Sequence, residues 1–226
     1  MKLLAIDTAF DQCSAAVLVA GEGQVLSIHC ERRPGSRGHA EILFDVIETV
    51  LRSAHVSREA IDRIAVNCGP GSFTGLRVGI AAARGLALAL QCECVGVSAL
   101  AGLARGCEPA GRRQILTLLD AGRGEAVCQR FDGVTHAALD APQTMTCEQA
   151  AIRFADFDGV ITGSGLRRCF PEGVEGRRFS VFEQDWADIE ILARIGCEGV
   201  PEGPVKPFYS RAADAKPQIS ANLVAE

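Results

Sequence analysis

The segment CGPGSFTGLRVGIAAARGLALAL, residues 68–90, restricts the fold more than any other part of the chain. Gly69, Gly71 and Gly75 form a loop where backbone can approach other atoms closely, and the residues after it are apolar around almost the whole helical circumference. Val78, Ile80, Leu86, Leu88 and Leu90 do not share one face, and Gly79, Ala81, Ala82, Ala83, Gly85, Ala87 and Ala89 fill the rest. A surface helix of a monomer carries a polar face. This one offers only Arg77, Arg84 and the terminal Gln91. It therefore needs cover on two sides: its own sheet on one, and either a partner chain or a second lobe on the other.

The loop also raises a chemical question. Glycines ahead of a helix N-terminus let backbone amides hold a phosphate. A Walker loop would continue with Lys and Ser or Thr, but Leu76 and Arg77 follow Gly75; the dinucleotide fingerprint fails at Thr74, where its third glycine belongs. Two readings stay open: a structural strand-to-helix turn, and a phosphate site. For the second, the candidate contacts are Asp7, Thr8, Gly69, Gly71, Ser72 and Thr74, with Asp7-Thr8 placed after an apolar strand where a carboxylate orients a metal-bound phosphate.

The chain of 226 residues suits one large domain or two small lobes. Hydrophobic residues make up 48% and aromatics only 5%, so the core rests on Leu, Ile, Val and Ala. A net charge of −5 argues against autonomous nucleic-acid binding, which needs a basic footprint. The ten cysteines form no CxxC and the N-terminus reads as no export signal, which predicts free thiols in a cytoplasmic protein. No uncharged apolar run of about 18 residues predicts a membrane span. His29, His39, His55 and His136 form no metal-binding pair, and no GxSxG elbow is present, so neither a bound metal nor a common hydrolase is expected.

Periodicity predicts strands at residues 2–6, 13–19 and 24–31 as an antiparallel meander, then a helix over 39–54. A short strand RIAVNCG, a helix over about 75–90 and a strand in CECVGVSAL follow, the last leading into a short helix. The texture changes near Cys107. QILTLLDA and EAVCQRF read as paired strands, Thr146 and Gln149 as a capping box before a helix near 147–155, GVITGSG as a strand and turn, and Asp185 as the cap of a final helix. The expected division is an α/β lobe over 1–106, completed by about 205–215, a second α/β lobe over 107–204, and a frayed tail over 216–226.

The motifs LLAIDTAFDQCSAAVL, GHAEILFDVI, GPGSFTGLRVGIAAARGLALAL, GVSALAGLA, LLDAGRGEAV and PFYSR are similar, in order, to those of the bacterial TsaB (YeaZ) family, over nearly the whole chain. The resemblance implies the two-lobed α/β fold of the actin-like ATPase and sugar kinase superfamily (ASKHA, RNase H-like). It implies a role in making threonylcarbamoyladenosine next to the anticodon of tRNAs that read codons starting with A. It also implies a noncatalytic subunit without a cofactor. Its partners would be the transferase TsaD, as a heterodimer, and TsaE through that complex, with tRNA met only as part of the assembly and a homodimer formed by the isolated chain. TsaD-type proteins carry two metal-binding histidines as H-x-E-G-H; the aligned positions here hold Ala99 and Leu103, which bind no metal. One departure is Glu125-Ala126-Val127-Cys128, where the family strand carries Tyr after Glu-Val. The partner interface is expected on the two helices, at Leu43, Val46, Ile47, Val50, Arg77, Ile80, Ala83, Arg84 and Ala87. The alternative is a nucleotide-binding phosphotransferase or ATPase that acts alone through the glycine loop.

Overall fold

A computed structural model describes residues 1–35, 38–107, 114–201 and 203–210. The expected tail over 216–226, and residues 211–215 of the segment expected to complete the first lobe, lie outside them.

The first half of the chain builds a five-stranded sheet. β1 (Lys2–Phe10), β2 (Gln12–Gly21) and β3 (Gln24–Pro34) form an antiparallel meander. β4 (Arg63–Gly69) and β5 (Glu93–Ser98) then pair in parallel on the other side of β1, giving the order β3-β2-β1-β4-β5. α1 (His39–Ser53) connects β3 to β4, and α2 (Phe73–Leu90) connects β4 to β5. The second half repeats this plan. β6 (Gln114–Gly122), β7 (Glu125–Asp132) and β8 (Gln143–Thr146) are antiparallel, β9 (Val160–Thr162) and β10 (Ser180–Phe182) are parallel, and the order is β8-β7-β6-β9-β10. α4 (Cys147–Arg153) and α5 (Leu166–Cys169) occupy the places of α1 and α2. Two copies of one RNase H-like plan in a single chain are the fold of the actin-like ATPase and sugar kinase superfamily.

The two halves exchange their last helices. α3 (Ala99–Gly106) follows β5, yet Leu100, Leu103 and Ala104 pack with Ile115, Leu119 and Val127 of the second sheet. α6 (Ile189–Glu198) follows β10, yet Ile189, Leu192 and Ala193 pack with Leu3, Ala5, Ala16 and Leu18 of the first. The apolar stripe of α6, within the segment expected to belong to the second lobe, finds its cover on β1, β2 and β4. Arg63 locks that return: its guanidinium donates to the carbonyls of Gly196, Cys197 and Gly199 at the α6 C-terminus, at 3.3, 3.2 and 2.9 Å, and pairs with Glu93. A cation there offsets the negative end of the helix dipole.

β1 is buried on both faces. Leu4 and Ile6 face the α1 and α2 side, while Leu3 and Ala5 face α6, as the two-residue period of a strand requires. Each such Leu or Ile contributes about 1.5–3 kcal/mol through burial, so the central strands carry much of the stability.

Several local expectations shift. α2 begins at Phe73, two residues early, with Ser72 as N-cap accepting from the Gly75 amide at 3.2 Å. The cap of α6 is Asp188, not Asp185; its carboxylate accepts from the Glu190 amide at 2.8 Å and also pairs with Arg32 at 2.7 Å. The capping box of Thr146 and Gln149 forms as its spacing predicts. The short β8, β10 and α5 have too few residues to show a period.

Candidate docking face and glycine loop

α1 and α2 lie on the same face of the first sheet, and their inner stripes merge into one core. Leu43, Val46, Ile47 and Val50 of α1 are at most 1% exposed, and Ile80, Ala83 and Ala87 of α2 at most 7%. These seven residues, expected at a partner interface, are instead the chain's own core. The sheet had first claim on the larger apolar side chains, so only Arg77 and Arg84 of the nine expected residues are exposed.

The outer face is built from what remains. On α2 it runs through Thr74, Arg77, Ala81, Arg84, Gly85 and Leu88, with Leu88 82% exposed. On α1 it carries Glu41, Phe44 and Asp45, with Phe44 50% exposed. Small residues let a facing helix come close, and the exposed Leu and Phe supply apolar area. A shallow groove of about 520 Å³ continues the face between the C-terminal half of α2 and Pro204-Val205. Among the described residues no carboxylate pairs with Arg77 or Arg84. By length and composition α2 is apolar enough to cross a bilayer, but one side of it is committed to β1 and β4.

The glycine loop brings its six candidate residues together and turns three of their donors inward. The Gly69 amide donates to Asn67 Oδ1 at 2.9 Å, and the Ser72 amide to the Ala9 carbonyl at 2.8 Å. The Gly75 amide is held by Ser72 Oγ, and the Thr8 hydroxyl donates to the Gly75 carbonyl at 2.7 Å. Two of the glycines permit close backbone contact. A Cβ on Gly71 would stand 2.7 Å from the Ala9 carbonyl oxygen, and one on Gly75 would overlap that of Thr8. Gly71 and Thr74 are exposed, and among the described residues neither the Gly71 amide nor the Thr74 hydroxyl has such a bond.

Asp7 is fully buried at the end of β1. Its Oδ1 accepts from the Ala9 amide at 2.8 Å and from Asn67 Nδ2 at 3.0 Å. Its Oδ2 has no hydrogen-bond partner among the described residues, and neither has Ser14 Oγ, its cross-strand neighbour. Burial raises the Asp7 pKa from 3.8 to about 6, against the lowering effects of the two hydrogen bonds and the nearby His39. His39, expected only as a helix-end residue, is buried beneath the loop, its ring nitrogens 3.1 Å from the Thr8 carbonyl and 2.7 Å from that of Gly35. Asn67 and Ser14 were not anticipated; a polar residue inside the apolar run RIAVNCG was the available signal.

Ala99 and Leu103, the positions of the H-x-E-G-H histidines, are both buried in the core between α3 and the second sheet. Among the described residues no group of three or more His, Cys, Asp or Glu is arranged to hold a metal ion.

A sequence model of the TsaD family, tRNA N6-adenosine threonylcarbamoyltransferase, matches residues 33–184 of the 226. The chain belongs to the TsaD family. Within that family its resemblance runs to TsaB and YeaZ. It is 37% identical over 141 residues to the tRNA threonylcarbamoyladenosine biosynthesis protein TsaB of Escherichia coli K12, covering 60% of this chain and 59% of that protein. Matches to other curated TsaB proteins span as little as 42% of their length. Among solved structures, a Pseudomonas aeruginosa protein described as similar to the peptidase YeaZ superposes with a TM-score of 0.77 at 28% identity, covering 93% of this chain and 99% of that one. YeaZ from the same organism gives 0.75, again at 28% identity, with 92% and 99% covered.

Proposed function

We propose that this chain is a noncatalytic subunit that binds a TsaD-type transferase and activates it in tRNA threonylcarbamoyladenosine biosynthesis, next to the anticodon of tRNAs reading codons that start with A. The observation that carries this reading is the outer face of α2: small and apolar residues, with two arginines that no described carboxylate pairs. An exposed helix with that composition gains more from a partner helix than from water. The similarity to TsaB proteins supplies the pathway, and TsaE would join through the TsaD complex. TsaD shares the family and hence the paired helices, so the joint would be a bundle of four helices around a local two-fold axis. A second copy of the chain would meet the same face when the transferase is absent. No role in catalysis is assigned to Asp7, whose carboxylate lies inside the fold.

The rival, a phosphotransferase or ATPase acting alone, needs loop amides free to grip phosphate; those of Gly69, Ser72 and Gly75 are engaged within the chain. Reconstitution of the modification from purified components, with and without this chain, separates the two. Formation of threonylcarbamoyladenosine should depend on it. Full activity in its absence, or ATP turnover by the chain alone, would refute the proposal.

A further inference from the structure

One cluster on the outer face does more than expose apolar area. The Arg77 guanidinium lies over the Phe73 ring, 3.7 Å from its centroid, and its Nε donates to the Tyr209 hydroxyl at 3.1 Å. The Phe73 and Tyr209 rings are 5.2 Å apart by centroids. All three residues are exposed, and among the described residues only the Nε of Arg77 has an acceptor. Tyr209 comes from far along the chain. The segment bearing it is fixed by the buried Val205, by the Phe208 amide donating to the Cys68 carbonyl at 2.7 Å, and by Thr144 Oγ1 of the second lobe donating to the Ser210 carbonyl at 3.2 Å.

We infer that Arg77, clasped by Phe73 and Tyr209, is a preorganised anchor for a carboxylate of the docking partner, so that residues 205–210 tune the affinity of the α2 face. The inference rests on the docking reading above. Three physical points lead to it. Arg77 precedes Ala81 by one helical turn, so it is continuous with the proposed interface. A free arginine loses its rotamer freedom when a partner arrives; stacking and the hydrogen bond have removed that freedom during folding. Docking also strips water from the guanidinium, and a desolvated cation with two open terminal nitrogens requires an acceptor, for which a carboxylate accepting in the bidentate mode is the best match. Arginine with flanking aromatics is the composition of a binding hot spot.

The test is a double-mutant cycle read by calorimetric titration of the full chain with its purified TsaD-type transferase. The variants are Arg77→Ala, Tyr209→Ala, the pair together and the conservative Tyr209→Phe. Thermal melts of each variant alone report whether the fold survives. Arg77→Ala should weaken binding by about ten-fold or more, as loss of a hot-spot residue does. Tyr209→Ala should cost about five-fold by freeing the guanidinium, and Tyr209→Phe less than that. The pair should be no weaker than Arg77→Ala, because Tyr209 acts through Arg77. Raising the salt concentration should weaken the unaltered chain more than Arg77→Ala. Losses that multiply, or a Tyr209→Ala chain that binds like the unaltered one, would overturn the anchor while leaving the docking reading intact. No association of the unaltered chain would overturn the docking reading and the anchor with it.

Discussion

Replacing Asp7 with Asn should stabilise the protein at neutral pH. The carboxyl is fully buried, and burial is the main reason its pKa stands at about 6 rather than 3.8. At about 1.4 kcal/mol per pH unit, that rise is worth about 3 kcal/mol between the charged and neutral forms. The sign follows from the direction. A folded-state pKa above the unfolded value means the native state holds the proton more tightly between pH 3.8 and about 6. The contribution of Asp7 is therefore fully present below pH 3.8 and is lost as pH rises through about 6. Asn cannot ionise. Its Oδ1 would keep the bonds from the Ala9 and Asn67 amides, and its Nδ2 would bring a donor beside the unpartnered Ser14 hydroxyl. Urea unfolding of both chains from pH 4 to pH 8 isolates the effect, because the other carboxylates cancel in the difference. The stability of Asp7→Asn relative to the unaltered chain should climb by most of that effect, about 2.4 kcal/mol, between pH 4 and pH 7 and then level off. A flat difference, or one that falls with pH, would refute the assignment of a desolvated carboxyl at this position.

Three further outcomes follow from the packing. Gly75→Ala should cost about 3 kcal/mol, since its Cβ would overlap the Thr8 carbonyl and force α2 off the sheet; a melt within a degree of the unaltered chain would show that the contact is not tight. Leu43→Ala, in the core, should cost about 2–5 kcal/mol, whereas Phe44→Ala, one residue along but exposed, should stay within about 0.5 kcal/mol while weakening the transferase complex; chemical denaturation and binding titration together check the pair. Asp188→Ala removes both the α6 cap and the partner of Arg32 and should lower stability by about 1–2 kcal/mol, seen in thermal unfolding.

The first half of the fold was legible because its elements are long and their periods clean: the α1 stripe, the β4 run and the glycine turn into α2 each announce themselves. Two α/β lobes were legible from the strands that begin again after Cys107, but β8, β10 and α5 were not, because they have three or four residues each and show no period. The return of α6 to the first sheet depends on a long-range exchange that local sequence does not encode; Ile189 and Leu192 look equally suited to either lobe. Seven of the nine residues expected at a partner interface are buried in the chain's own core. Large apolar side chains draw the eye, yet they go to the sheet, and what faces outward is Ala81, Gly85, Leu88 and the two arginines. The Tyr209 contact to Arg77 joins positions 132 residues apart, and no spacing rule reaches it.

The most direct test of the docking face is association with the TsaD-type transferase before and after Ala81→Glu. Position 81 is exposed at the middle of the α2 outer face. A glutamate there lies four residues after Arg77 and three before Arg84, so it would pair with them and leave the helix at least as stable. Sedimentation of equimolar mixtures should show a stable complex with the unaltered chain and separate species with Ala81→Glu, at an unchanged melting temperature. A complex of equal stability with both chains would contradict the assignment of this face.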